Sequence, residues 1–204
     1  MVRRTWTAAA LVAAVAGLGW APSASGAAAA PTIAFADARG DVTLDPYASS
    51  GPSFTPRIDP AAVDLHRVTV TSTSQTIFVR IDLKKFYGAA KVANRQQGAQ
   101  SVVVDLYDGT SAFLTGTAIW EVGARPQVTA TISERDGVCR TPATATTSTT
   151  DGWILLRLPA ACVRPGATLR GVEVQASQVL EQRNGAGTVT SRRVYGDAAT
   201  SPGL

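Results

Sequence analysis

Along most of the chain, apolar and polar residues alternate with a period of two. Ile77, Val79, Ile81 and Leu83 are interleaved with Phe78, Arg80 and Asp82, which is the spacing of a half-buried strand. The same alternation runs through Val68 and Val70 against Thr69 and Thr71. It recurs through Val102, Val104 and Leu106 within Gln100–Tyr107, and through Val128, Ala130 and Ile132 against threonines. Ile154, Leu156 and Leu158 repeat it, as do Val172, Val174 and Ala176, and weaker patterns cover Thr32–Ala36, Ala112–Trp120 and Val189–Tyr195. Turn-forming pairs separate these runs: Asp108-Gly109, Asp136-Gly137, Asp151-Gly152, Pro165-Gly166 and Asn184-Gly185. Ser72-Thr73-Ser74-Gln75 predicts a hairpin connection.

About nine short strands at this spacing predict an all-β fold, an antiparallel β-sandwich of jelly-roll or Ig-like type, because two stacked sheets bury one face of every strand. Helical periodicity is confined to short pieces. Phe86–Asn94 has room for one or two turns and Pro159–Cys162 for one. Thr141–Thr150, almost entirely Thr, Ala, Ser and Pro, reads as a mobile surface loop.

The first residues carry a different signal. Arg3 and Arg4 precede an apolar run from Ala8 to Ala21, and small residues follow around Ala24-Ser25-Gly26. That order is the one a secretory signal takes. A membrane anchor is the alternative, but a spanning helix needs roughly 20 apolar residues. The expected organisation is a signal peptide over 1–26, a single domain over 27–204, no transmembrane anchor, and a secreted or extracytoplasmic location. Removing the signal takes away two arginines and leaves 17 basic against 15 acidic residues, a net charge of +2. With no dense basic run interleaved with aromatics, nucleic-acid binding is not expected.

Composition narrows the chemistry further. A 45% hydrophobic and 17% charged chain excludes an intrinsically disordered chain and a coiled coil. One His and two Cys exclude zinc sites built from several Cys or His, as well as haem attachment and iron–sulfur clusters. In an exported protein, Cys139 and Cys162 predict one disulfide, worth roughly 3 kcal/mol for a loop of that length.

Five of eleven aspartates fall between residues 37 and 64: Asp37, Asp41, Asp45, Asp59 and Asp64. The turn Asp37-Ala38-Arg39-Gly40-Asp41 has a carboxylate at each end and a glycine inside. Hard cations such as calcium need six to eight oxygens from carboxylates, carbonyls and water. Asp37, Asp41 and Asp64, with Asp197 as a fourth carboxylate, are therefore the candidate calcium ligands. The competing reading is that these aspartates cap turns by accepting backbone N–H bonds. His66 and the glutamates Glu121, Glu134, Glu173 and Glu181 would be the starting points for a hydrolase, but no nucleophile-elbow pattern accompanies His66. Trp120 is the candidate ligand-stacking aromatic; Tyr47, Tyr87, Tyr107 and Tyr195 could join it on a shared face, whereas Trp153 reads as core.

Several of these segments resemble a large group of exported proteins from high-GC Gram-positive bacteria. They are Asp37–Asp41, Val63-Asp64-Leu65-His66-Arg67-Val68, the strand Phe78–Leu83, Leu156–Cys162 with Leu169–Val174, and Tyr195-Gly196-Asp197-Ala198. Sixteen Arg against three Lys fits such a genome. The Asp-x-x-Gly-Asp turn also resembles calcium-stabilised, carbohydrate-binding sandwiches of the CBM9-like and DOMON-like kind. The resemblance implies compartment and fold. The expected function is an exported, non-catalytic binding or cell-envelope module, calcium-stabilised, with a cell-wall or extracellular glycan as partner. A secreted hydrolase on a sandwich scaffold and a purely structural envelope protein are the alternatives.

Overall fold

A computed structural model of the chain describes residues 32–56, 58–86, 96–109, 111–121, 127–132, 137–138, 142–163 and 167–202. The strands are β1 Thr32–Ala36, β2 Thr43–Ser50, β3 Leu65–Ser72, β4 Thr76–Leu83, β5 Gln96–Asp108 and β6 Ser111–Glu121. They continue as β7 Gln127–Ile132, β8 Gly137–Val138, β9 Thr144–Ser148, β10 Trp153–Pro159, β11 Gly171–Arg183 and β12 Val189–Thr200. Two sheets result, ordered β1-β3-β4-β10-β9 and β2-β12-β11-β5-β6-β7-β8. Every pairing is antiparallel.

The alternation decides which faces meet. Val79, Ile81, Ile154 and Leu156 of one sheet and Val102, Val104, Val172 and Val174 of the other are fully buried in one cluster. Residues between them face outward, as expected when each sheet has one apolar face. Gly116 sits where the two layers come together: a Cβ there would meet the Leu158 side chain at 2.8 Å. At the β3–β4 turn, the Thr73 N–H and hydroxyl both donate to the Thr76 carbonyl, at 2.9 and 2.8 Å.

Among the described residues, three strands exceed the expected nine. Thr144–Ser148, predicted as part of a mobile loop, is instead β9, an edge strand paired with β10 over five residues. Threonine's branched Cβ suits a pleated edge, and the segment carries no large apolar residue to reveal itself. β2 is exposed nearly throughout and contains Pro46, a residue that edge strands tolerate because an outward N–H is not needed there. β8 has only two residues.

The single turn expected after Pro159 is a 3-10 turn at Ala160–Cys162. A second one, Pro60–Val63, is capped by Asp59, whose carboxylate accepts the Ala61 N–H at 3.0 Å. The expected helical turns after Phe86 and the signal segment lie outside the described residues. So does Cys139; Cys162 is buried, and no described cysteine is free. Among the described residues, no helix is long and apolar enough to cross a membrane.

Candidate metal centre

β1 ends at Ala36, and Asp37 opens the turn that leads to β2. The Asp37 N–H donates to the His66 carbonyl at 3.3 Å, so the first carboxylate is hung from the start of β3. Gly40 has φ +83, a left-handed conformation that glycine adopts without a Cβ clash. Its N–H donates to both Asp64 oxygens, at 3.0 and 3.1 Å.

Asp64 therefore has a different role from the one its sequence position suggested. It is buried, clamps the turn, and lies 3.6 Å from His66 Nε2. Its own backbone is also engaged, donating to the Ala61 carbonyl at 3.2 Å and accepting from the Lys84 N–H at 2.8 Å. The clamp fixes the turn so that Asp41 swings back toward Asp37.

The third carboxylate comes from the far end of the chain. Asp197 on β12 accepts the Leu65 N–H at 2.7 Å through Oδ2 and the Ala198 N–H at 2.8 Å through Oδ1. One residue thus joins β12 of the seven-stranded sheet to β3 of the five-stranded sheet. Asp37, Asp41 and Asp197 each place a carboxylate oxygen within 4.8 Å of the others. Oxygens bound to one calcium at about 2.4 Å lie no more than about 4.8 Å apart, so the spacing is compatible with a shared ion.

Electrostatics at this point are strained. Burial raises the Asp37 carboxyl above its ordinary range; the Ala38 amide opposes this, and the charges of Asp41 and Asp64 add to it. Asp197 is also raised, first by burial and then by Asp41 and Asp37, against the Leu65 amide. Asp37 Oδ2 is buried and has no hydrogen-bond partner. Two carboxylates can share a hydrogen bond only when one carries a proton.

Asp59 behaves in the opposite way. Burial acts to raise it, but a 3.0 Å contact with Lys84 Nζ and the Ala61 amide leave it lowered. Asp45 belongs to the β2 edge, where its carboxylate accepts the N–H groups of Tyr47 and Ala48 at 2.8 and 3.1 Å. The capping reading thus describes Asp45, Asp59 and Asp64, extends to Asp197 and, through the Ala38 amide, to Asp37, and leaves Asp41 unexplained.

Trp120 is not a surface platform. It is 1% exposed, stacks on Phe86 with ring centroids 4.6 Å apart, and donates from Nε1 to Gln100 Oε1 at 3.0 Å. From Leu114 onward the alternation in β6 turns even-numbered residues inward, so Ile119 is the exposed neighbour. Trp153, expected in the core, is half-buried with the Arg80 guanidinium 5.0 Å over its ring. Among the described residues, the aromatic most open to solvent is Tyr47, 98% exposed beside Pro46. The sequence names Tyr47 only as a companion to Trp120 on a shared face, and the two are not on one: Trp120 is buried in β6, whereas Tyr47 stands on the β2 edge. Compared with protein-family models, curated proteins and solved structures, the chain matches none of them.

Proposed function

We propose that the chain is an extracytoplasmic, non-catalytic β-sandwich module whose N-terminal turn is fastened by a structural calcium ion. The observation that carries this reading is the convergence of the Asp37, Asp41 and Asp197 carboxylates, with Oδ2 of Asp37 buried and unpartnered. Three ionised carboxylates that close repel one another, and a divalent cation offsets that repulsion. Carboxylate oxygens suit calcium, and the remaining positions would fall to carbonyls of the turn and to water. Because Asp197 already bridges to Leu65, an ion here would tie the turn after β1 to both sheets. A disulfide between Cys139 and Cys162 belongs to the same proposal. It suits a compartment where calcium is plentiful and thiols are oxidised.

The test is thermal melting with calcium and with chelator. Calcium should raise the melting temperature of the wild type and leave that of Asp41→Ala unchanged. A wild type indifferent to calcium would show that the cluster holds none.

A further inference from the structure

Strand register fixes what the five-stranded sheet shows to its outer side. Arg67 on β3 stands opposite Asp82 on β4, and Asp82 opposite Trp153 on β10. Two residues along, Arg80 is opposite Leu155, and two further, Phe78 is opposite Arg157. Their chain neighbours Ile81, Ile154 and Leu156 are fully buried, so this set points away from the core.

Arg67, Arg80 and Arg157 therefore follow one diagonal across β3, β4 and β10. Diagonal neighbours on a sheet face lie about 7–8 Å apart, near enough for like charges to repel. Asp82 is the one acid that the five strands turn to this side, and Arg80 Nε holds it at 2.9 Å. Arg67 and Arg157 are exposed, and neither has an acidic partner among the described residues. Phe78, Leu155 and Trp153 fill the places beside the diagonal and are only half-buried. The flanking strands turn only Ala, Ser and Thr to this side, so the long side chains of the middle strands stand above their surroundings.

We propose that this face docks on the surface of an anionic phospholipid bilayer. Charge complementarity sets the sign of the partner, and the apolar side chains set its kind. Binding at a membrane interface grows with apolar area and with attraction to anionic headgroups, and a Trp ring suits a boundary that is apolar on one side and wet on the other. Single-stranded nucleic acid also joins phosphate to aromatic rings, but the arrangement fits it poorly. The Arg80 guanidinium lies 5.0 Å over the Trp153 ring, on a face that a base would use. Trp153 and Phe78 are four register positions apart, roughly 13 Å, too far to stack successive bases. The opposite outer face sets Asp105 across from Glu173, so one side of the sandwich attracts an anionic surface and the other does not. The docking is independent of the calcium reading.

The experiment is co-sedimentation of the purified protein with vesicles of phosphatidylglycerol and phosphatidylcholine in equal parts, and with vesicles of phosphatidylcholine alone. Chelator is present throughout, so that the acidic cluster plays no part. The mixed vesicles should carry the protein down, and the neutral ones should not. Arg157→Glu should weaken binding about thirtyfold, because it changes two charges and each contributes about 1 kcal/mol near an anionic membrane. Arg192→Glu, the same charge change on the opposite outer face, should leave binding within about twofold. Trp153→Ala should weaken it as well. If Arg157→Glu does not fold, Arg67→Glu takes its place. The proposal is overturned by a folded wild type that ignores the mixed vesicles or binds neutral ones equally. It is overturned too by equal losses in Arg157→Glu and Arg192→Glu, by undiminished binding in folded Trp153→Ala, or by capture on single-stranded DNA without binding to vesicles.

Discussion

Two polar clusters abut the segment from Asp59 to Asp64, and they are built on opposite terms. In the first, Trp120 Nε1 donates to Gln100 Oε1, Gln100 Nε2 to Gln178 Oε1, and Gln178 Nε2 to the Asp59 carbonyl, at 3.0, 3.0 and 2.9 Å. Each donor meets an acceptor, head to tail, and all three side chains are almost fully buried. In the second, Asp37, Asp41 and Asp197 set acceptor against acceptor, and one buried oxygen has no donor. A closed network of this kind rigidifies a fold without help, because every desolvated group recovers its hydrogen bond. An acceptor-only cluster cannot close until a proton or a cation enters. The first cluster is complete within the protein, while the second leaves one buried acceptor without a donor.

The largest effect should come from breaking the closed network. Trp120→Ala removes a buried indole and its Phe86 stack, for which a loss of about 3–5 kcal/mol is expected; urea denaturation measures it. A near-neutral result would mean that Trp120 contributes little to the core. Calcium comes next: at one hundred times its dissociation constant a bound ion stabilises by about 2.7 kcal/mol, read as a shift of the urea midpoint between calcium and chelator. Asp64→Ala follows, since it deprives the Gly40 N–H of both its acceptors. A loss of about 1–3 kcal/mol is expected, together with weaker calcium binding as the turn loosens.

The smallest effect is that of pH on the metal-free protein. The folded-state carboxyls of Asp37 and Asp197 are raised above 3.8, so the folded protein holds their protons more tightly than the unfolded chain does. Their contribution to stability therefore rises as pH falls from neutral toward 3.8 and is lost as pH rises through the folded values. Asp59, being lowered, acts below 3.8 and in the opposite sense. Metal-free protein should melt slightly higher near pH 5 than at pH 7. Saturating calcium should abolish or reverse that difference, because the ion favours the ionised carboxylates.

Much of the sandwich was legible because its strands are half-buried and say so. Ile77 to Leu83 and Ile154 to Leu158 alternate without interruption, and they became β4 and β10 at the centre of one sheet. β2 and β9 were not legible, for edge strands bury too little to impose a pattern: Thr144–Ser148 has only small side chains, and β2 holds a proline. Within the acidic cluster, the sequence brought Asp37 and Asp41 to notice as the two ends of a glycine-containing turn, and Asp197 as a fourth carboxylate. It could not separate Asp64 from them, because the separation depends on a bond across 24 positions to Gly40. Trp120 was misread because the weak alternation of β6 hides which face is inward. Its partner Gln100 is polar, and a buried polar partner leaves no hydrophobic mark.

The most direct test of the unsatisfied cluster is Asp41→Asn, melted without and with calcium. Replacing one of three facing carboxylates by a neutral amide relieves repulsion when no ion is present and removes a ligand when one is. The account predicts that metal-free Asp41→Asn melts at or above the metal-free wild type, and that calcium, which raises the wild type, leaves the variant unmoved. If the variant melts lower without metal, or gains as much from calcium as the wild type does, Asp41 is an ordinary turn residue and the cluster is no calcium site.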